Sequence, residues 1–225
     1  SIEALKNIAI VYYRCCDISI PRQQRGIYME IILATRNPSK AKQIRAVFSG
    51  IPIDIKSLDD VGIIGEAVED GATLEENAKK KALYAWEKSG GQWSMADDTG
   101  IFINALDGAS GIHAARWAGD VSTEEIMRYT LNALDGKADR TGTFRTVAVL
   151  ISRHKSPMTF MGEVHGTFLT SPRTALQPMM PYSAIFVPDG QEKTWSEMSV
   201  AEENAISHRG TAFQQVRLHL SHILI

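Results

Sequence analysis

Two adjacent acids, Asp97 and Asp98, stand among apolar residues in the stretch MADDTGIF, Met95 to Phe102. Neighbouring carboxylates repel, and burying one without a partner is costly. A turn that leaves them in water, a shared proton or a cation would each compensate. A second acidic stretch, VEDGATLEENA, supplies Glu69, Asp70, Glu75 and Glu76. One carboxylate from the Glu69 loop and one from the double aspartate could hold magnesium, which takes oxygen ligands and keeps several waters. The competing reading is a tight turn before Gly100, where aspartate is a common residue.

Cations and donors are the other half of the chemistry. Leu74, Ala78, Ala82 and Ala85 form one apolar stripe of a helix, Lys81 falls within it, and Asn77 flanks it one turn earlier. An inward lysine needs an anion; at a stripe edge it would only snorkel to water. TRNPSK, Thr35 to Lys40, lies between a strand and a helix, where free N–H groups at the positive end of the helix suit phosphate. Thr35 and Asn37 add side-chain contacts there and Lys40 adds charge, but the glycines of a Walker A loop are missing. Asp98-Thr99-Gly100 also matches the D-T-G of proteases in which two carboxylates share a proton. That chemistry needs two such loops, and this chain has one, so the match is set aside. The six histidines lack zinc-site spacing. His208 and Arg209 in ISHRG are adjacent donors that could read a carbonyl or a phosphate, or merely mark a helix break.

These residues need elements to hold them. MEIILAT (29–35) reads as a buried strand, and Asn37 with Pro38 starts a helix that Gly50 ends. IPIDIKS alternates as a second strand, and Thr73 with Glu76 predicts a capping box for a helix to about Lys88. Further strands are expected around the double aspartate, which follows a short apolar run, in TFRTVAVLI (143–151), in MTFMGEVHGTFL (158–169) and in SAIFVP from Ser183. Ser122 with Glu125, and Ser199 with Glu202, cap two more helical regions, the last broken near SHRG. Helices alternate with strands early and strands pair later, so the class is α/β with a mixed sheet.

Composition narrows the partners. At 225 residues, 44% hydrophobic and 22% charged with a formal net charge of −2, the chain has no general attraction for nucleic acid or an anionic membrane. Its only cysteines, Cys15 and Cys16, are adjacent and cannot make a disulfide framework, so a reducing cytoplasm is expected. Residues 1–28 differ in character from the rest and read as an N-terminal extension or cloning remnant, with 29–225 as one domain.

Six segments, in this order, resemble the Ham1 family of inosine triphosphate pyrophosphatases, also called non-canonical purine NTP or dITP/XTP pyrophosphatases. They are ILATRNPSKAKQIRAVF, EDGATLEENAKKKA, ADDTGIFINALDGASGIHAARWAGD, FRTVAVL, IFVPDGQEKTWSEMS and EENAISHRGTAF. The resemblance implies an elongated mixed α/β fold of two lobes around a central nucleotide cleft, a homodimer, and magnesium-dependent cleavage of a nucleoside triphosphate to monophosphate and pyrophosphate. It implies that Thr35, Asn37 and Lys40 cradle the phosphates with Lys81. Glu69 and Asp98 would hold the metal, Asp98 would orient or deprotonate the attacking water, and Asp97 would support them. Thr99 stands where the family often has serine, and Lys193, His208 and Arg209 match base-side positions. Where the family reads GFGYDPIF, this chain has MMPYSAIF (179–186): Tyr182 and Phe186 remain, while Met179 and Pro181 replace glycines and Ser183 replaces an aspartate. That loop lies on the base side, so another modified or a standard NTP is an alternative substrate. A nucleotide sensor without turnover is the alternative from another functional class.

Overall fold

A computed structural model describes residues 29–224; the expectations for residues 1–28, including Cys15 and Cys16, lie outside it. Strand β1 (Met29–Leu33) is the apolar run, and it pairs in parallel with β2 (Ile53–Ser57) and, at its end, with β3 (Ser94–Ile103). A two-residue β4 (Ser110–Gly111) folds back on β3. β3 then pairs antiparallel with β5 (Thr141–Ile151), which pairs with β6 (Pro157–Phe168), which pairs with β7 (Phe186–Pro188). The result is one seven-stranded mixed sheet, ordered β2-β1-β3-β5-β6-β7. Parallel neighbours need crossovers, and helices supply them in the first half; hairpin connections suffice later.

The helices start where their caps predict. Asn37 Oδ1 accepts from the N–H groups of Ser39 (3.0 Å) and Lys40 (3.1 Å) at the head of α1 (Pro38–Val47). Thr73 caps α2 (Leu74–Lys88) by accepting from Glu76 N, but Glu76 accepts from Ala72 N, so only half of the expected capping box forms. α3 (Thr123–Ala133) and α4 (Val200–Ile206) carry complete boxes at Ser122/Glu125 and Ser199/Glu202. The break near SHRG falls at Ser207, which caps α5 (His208–Ile223) by accepting from Gly210 N at 3.0 Å.

Two expectations need correction. SAIFVP is strand only over Phe186–Pro188; Ser183 N and Ile185 N instead bond back to Met180 O and Tyr182 O, which uses them in turns. The double aspartate neither occupies a turn nor follows a short strand. Both acids lie inside the ten-residue β3, hydrogen-bonded in register opposite Ala148 and Val147 of β5.

The core lies in three clusters. On one face of the sheet Ile31, Leu33, Met95 and Leu150 pack against Ile44 of α1 and Phe213 and Val216 of α5. On the other, Ile32, Ala96 and Val149 pack against Leu74, Ala78, Ala82 and Ala85, the predicted stripe of α2. The third gathers Ile101, Ile103, Phe144 and Phe168, from the far ends of the long strands, with Ile126, Tyr182, Phe186 and Trp195. Strands β3 and β5 thus run from the first two clusters into the third, and Asp97 and Asp98 fall between them.

Close approach of α5 to the sheet depends on Gly162 of β6. A Cβ at that position would lie 2.1 Å from His208 O and 2.8 Å from Ala212 N. Overpacking of this kind costs about 1–3 kcal/mol. Gly162→Ala should therefore lower the unfolding free energy measured by urea titration by about that amount; unchanged stability would mean that α5 has room to shift.

Candidate active site

Side chains alternate across a strand, so neighbouring acids on β3 face opposite sides of the sheet. Met95 and Asp97 point to the face covered by α1 and α5, Ala96 and Asp98 to the face covered by α2. Each carboxylate therefore meets its own cations. Asp97 Oδ2 accepts from Lys40 Nζ of α1 at 3.0 Å and from Arg209 Nε of α5 at 3.3 Å. Asp98 Oδ1 accepts from Lys81 Nζ of α2 at 2.8 Å, and Oδ2 from Asn77 Nδ2 at 3.3 Å. Repulsion between the two acids is met by lysine and arginine, and no turn is needed.

Their protonation differs accordingly. Burial would raise the Asp97 carboxyl, but Lys40, Arg209 and Lys81 outweigh it and hold Asp97 well below the usual carboxylate range. For Asp98 burial wins over Lys81, and its carboxyl is raised. Lys40 is lowered by burial and by its neighbours Arg209 and Lys81, against the pull of Asp97. Lys81 is raised: burial opposes this, but Asp98, Asp97 and Glu69 prevail.

Lys81 Nζ also lies 3.0 Å from Glu69 Oε2, so the Glu69 and Asp98 carboxylates converge on one cationic point. Arg116 Nη2 donates to Glu69 O at 2.8 Å and pins that loop, and Arg36 holds its upstream part through Ile63 O and Gly65 O. Two carboxylate oxygens aimed at one cation are the donor set that a hard divalent ion uses. Among the described residues no group of three or more His, Cys, Asp or Glu donors converges, so water and substrate oxygens would have to complete such a shell.

Two cavities meet at this cluster, sharing Lys40, Glu69, Lys81, Met179 and Pro181. One extends to Thr35 and Asn37 at the head of α1, where the Thr35 hydroxyl accepts from Asn37 N at 3.2 Å. The other extends between Phe144, Tyr182, Trp195 and His208. Thr99 lines it, with its hydroxyl 2.7 Å from that of Thr146 and 3.3 Å from Asp97 Oδ2. Tyr182 is buried, donates to Ala114 O at 2.7 Å, and is pushed up to about 12 by burial. His208 is buried with Nδ1 unpaired, and burial and Arg209 lower its pKa well below the ordinary value.

Three positions read from the sequence sit elsewhere than expected. Lys193 lines neither cavity; half exposed, it pairs with Glu202 at 2.8 Å. Asn77 lies behind the cavities, its Oδ1 accepting from Gly71 N at 2.8 Å, so it orients Asp98. Ser183 donates to Met180 O and accepts from Gln177 N, which turns its hydroxyl inward to its own loop. That loop docks on the head of α1, where Asn37 Nδ2 and Ser39 Oγ donate to Met179 O and Pro178 O. Met179 takes φ 57°, a left-handed conformation that favours glycine.

Sequence reasoning missed Gln43, Gln177 and Glu203. Arg209 Nη1 donates to Gln43 Oε1 at 2.8 Å, and Gln43 Nε2 donates to Glu203 Oε1 at 2.8 Å. Gln43 stands one turn after Lys40 in the buried phase of α1, with Ile44 and Val47, which was a usable signal. Nothing local marks Gln177 or Glu203.

The chain matches the Ham1 family over residues 31–219. A dITP/XTP pyrophosphatase of Thermoanaerobacter pseudethanolicus is 36% identical over 195 residues, 85% of this chain and 96% of its own. One from Syntrophobacter fumaroxidans is 38% identical, over 86% of this chain and 83% of its own. Among solved structures, a HAM1 protein from Coxiella burnetii superposes with a TM-score of 0.75 at 30% identity, covering 86% of this chain and 99% of that one.

The two aspartates should separate in stability. Asp97→Asn leaves Lys40 and Arg209 buried without their anion, an expected loss of about 3–5 kcal/mol. Because the folded Asp97 carboxyl is depressed, its contribution is complete above its unfolded value of about 4 and is lost as pH falls toward the folded one. Asp98→Asn removes a carboxylate whose ionisation burial already disfavours and leaves Lys81 with Glu69 as its anion, so it should cost less than Asp97→Asn. Denaturant titrations at pH 7 and pH 3 check both; equal losses would remove the distinction.

Proposed function

The chain belongs to the Ham1 family, and on that premise we propose that it hydrolyses non-canonical purine nucleoside triphosphates such as ITP, dITP and XTP to the monophosphate and pyrophosphate. The observation that carries this is the convergence of Glu69, Asp98 and Lys81 at the junction of the two cavities. Opening a phosphoanhydride is mainly positioning and neutralisation of charge on the phosphate oxygens. Lys40, Lys81 and the α1 amides capped by Asn37 supply that charge complement, with Thr35 as a further donor. Asn77 and Thr99 are placed to orient the acids, and Arg209 holds Asp97, which in turn positions Lys40. With Lys81 turned to a phosphate, Asp98 Oδ1 is free to take the proton of the attacking water. Glu69 and Asp98 would hold magnesium, which when bound neutralises phosphate charge and acidifies water.

The aromatic cavity then takes the base, between Tyr182, His208 and Trp195, and Lys193 contributes only if its pair with Glu202 opens. The alternative substrate, another modified or standard triphosphate, keeps its support in the loop 179–183, where Ser183 and Met179 serve the loop itself. The reading carries with it a cytoplasmic homodimer whose two-lobed catalytic domain spans residues 29–225. No helix of the described residues is long and apolar enough to cross a membrane.

A panel of ITP, dITP, XTP and the standard triphosphates with magnesium should give pyrophosphate, fastest with the first three. Chelation should stop release, and Asp98→Asn should reduce it by about 10²–10⁴-fold. Orthophosphate as the only product would overturn cleavage between the α and β phosphates, and near-native turnover in Asp98→Asn would remove that residue from the chemistry.

A further inference from the structure

Glu203 is a buried acid in the wall of the aromatic cavity, 4% exposed and far in sequence from the acids of the reaction centre. Among the described residues only Gln43, at 2.8 Å, gives its carboxylate a short hydrogen bond; the second oxygen, Oε2, has Gln177 Nε2 at a long 3.4 Å. Gln177 Nε2 also donates to Trp195 O at 3.0 Å, which ties Glu203 to the aromatic wall. In that wall Trp195 Nε1 and His208 Nδ1 are fully buried with no hydrogen-bond partner among the described residues. These two atoms are shut off from the cavity itself, so the polar groups left to meet a ligand edge there are those of Glu203 and Arg209, which also line it.

The chemistry of that edge follows from the groups. Burial raises the Glu203 carboxyl, against the downward pull of Arg209, Gln177 and Gln43; ionised, it only accepts, and guanidinium N–H groups only donate. An acceptor beside donors complements a ring that offers an N–H next to a carbonyl. Purines with a 6-oxo group have that pattern, N1–H beside O6. Adenine has the reverse, a bare N1 beside an amino group, and would set two acceptors against each other. We propose that Glu203 accepts a hydrogen bond from N1–H of a 6-oxopurine base and so excludes adenine, with Gln43 and Gln177 as positioning residues. This rests on the pyrophosphatase reading and names the base selection that goes with it. Guanine shares N1–H, so Glu203 does not exclude it.

A site built to bond an N–H rejects a ring that lacks one, because its buried acceptor is then left unpaired. In the native protein, ITP should therefore exceed both ATP and N1-methylinosine triphosphate by about tenfold or more in kcat/KM. Glu203→Gln, whose amide can present either oxygen or nitrogen, should lower the ITP-to-ATP ratio by about tenfold, mainly through KM. The methylated substrate tests the same contact without any mutation, so a misfolded variant leaves the question answerable. Equal turnover of ITP and its N1-methyl form, or an unchanged ratio in folded Glu203→Gln, would overturn the role of Glu203 while leaving the reaction standing. If no triphosphate yields pyrophosphate, calorimetric binding of ITP and ATP decides. A preference for ITP that Glu203→Gln abolishes supports the contact even as the reaction assignment falls, and equal affinities overturn it.

Discussion

Asp97, ionised and almost wholly out of water, is the constraint around which the rest is arranged. Its β5 neighbour is Ala148, so the sheet offers it no partner, and two helices supply one cation each. Lys40 comes from the first helix of the described chain and Arg209 from the last, so one carboxylate ties the two ends of the domain across the sheet. Removing either cation would leave a buried charge uncompensated, which is far costlier than losing an exposed pair. The neighbouring Asp98, rotated to the other face by the pleat, escapes this arrangement. It has one lysine, which it shares with Glu69, and it is left as the carboxylate easier to protonate. A single step along a strand thus separates a structural acid from a reactive one.

From Arg209 the polar contacts continue as a chain: Gln43, Glu203, Gln177 and the Trp195 carbonyl. It runs from the ionic cluster into the aromatic cavity, between segments more than a hundred residues apart. Buried polar chains are rigid only when each member is satisfied. Trp195 and His208 stand in the cavity wall, but Trp195 Nε1 and His208 Nδ1, without partners among the described residues, are themselves shut off from it. Gly162 and the Ser207 break set how closely α5 can approach the sheet, and therefore where His208 and Arg209 stand.

Local signals read well because local physics made them. Asn37-Pro38, Ser122/Glu125 and Ser199/Glu202 begin helices through bonds that span three residues, and the α2 stripe buries as its spacing requires. Lys81 within that stripe needed an anion, and the fold provides two. The errors have a common form. Asp97-Asp98 resembles a turn when read alone, because the cations that let it sit in a strand come from α1, α2 and α5. SAIFVP resembles a strand, but Ser183 and Ile185 spend their N–H groups on turns. Lys193, expected on the base side by its position in a motif, is paired in this structure with a nearby glutamate, Glu202.

Helix starts, most of the strands and the buried stripe of α2 were determined by the sequence itself, since each depends on residues within a few turns of one another. Which carboxylate is gripped and which is left available, which asparagine orients an acid instead of touching substrate, and the meeting of Gln43, Gln177 and Glu203 were decided only by the tertiary structure. Those outcomes depend on pairing across 17 to 166 residues of chain, and no local pattern encodes which distant charges will be brought out of water together.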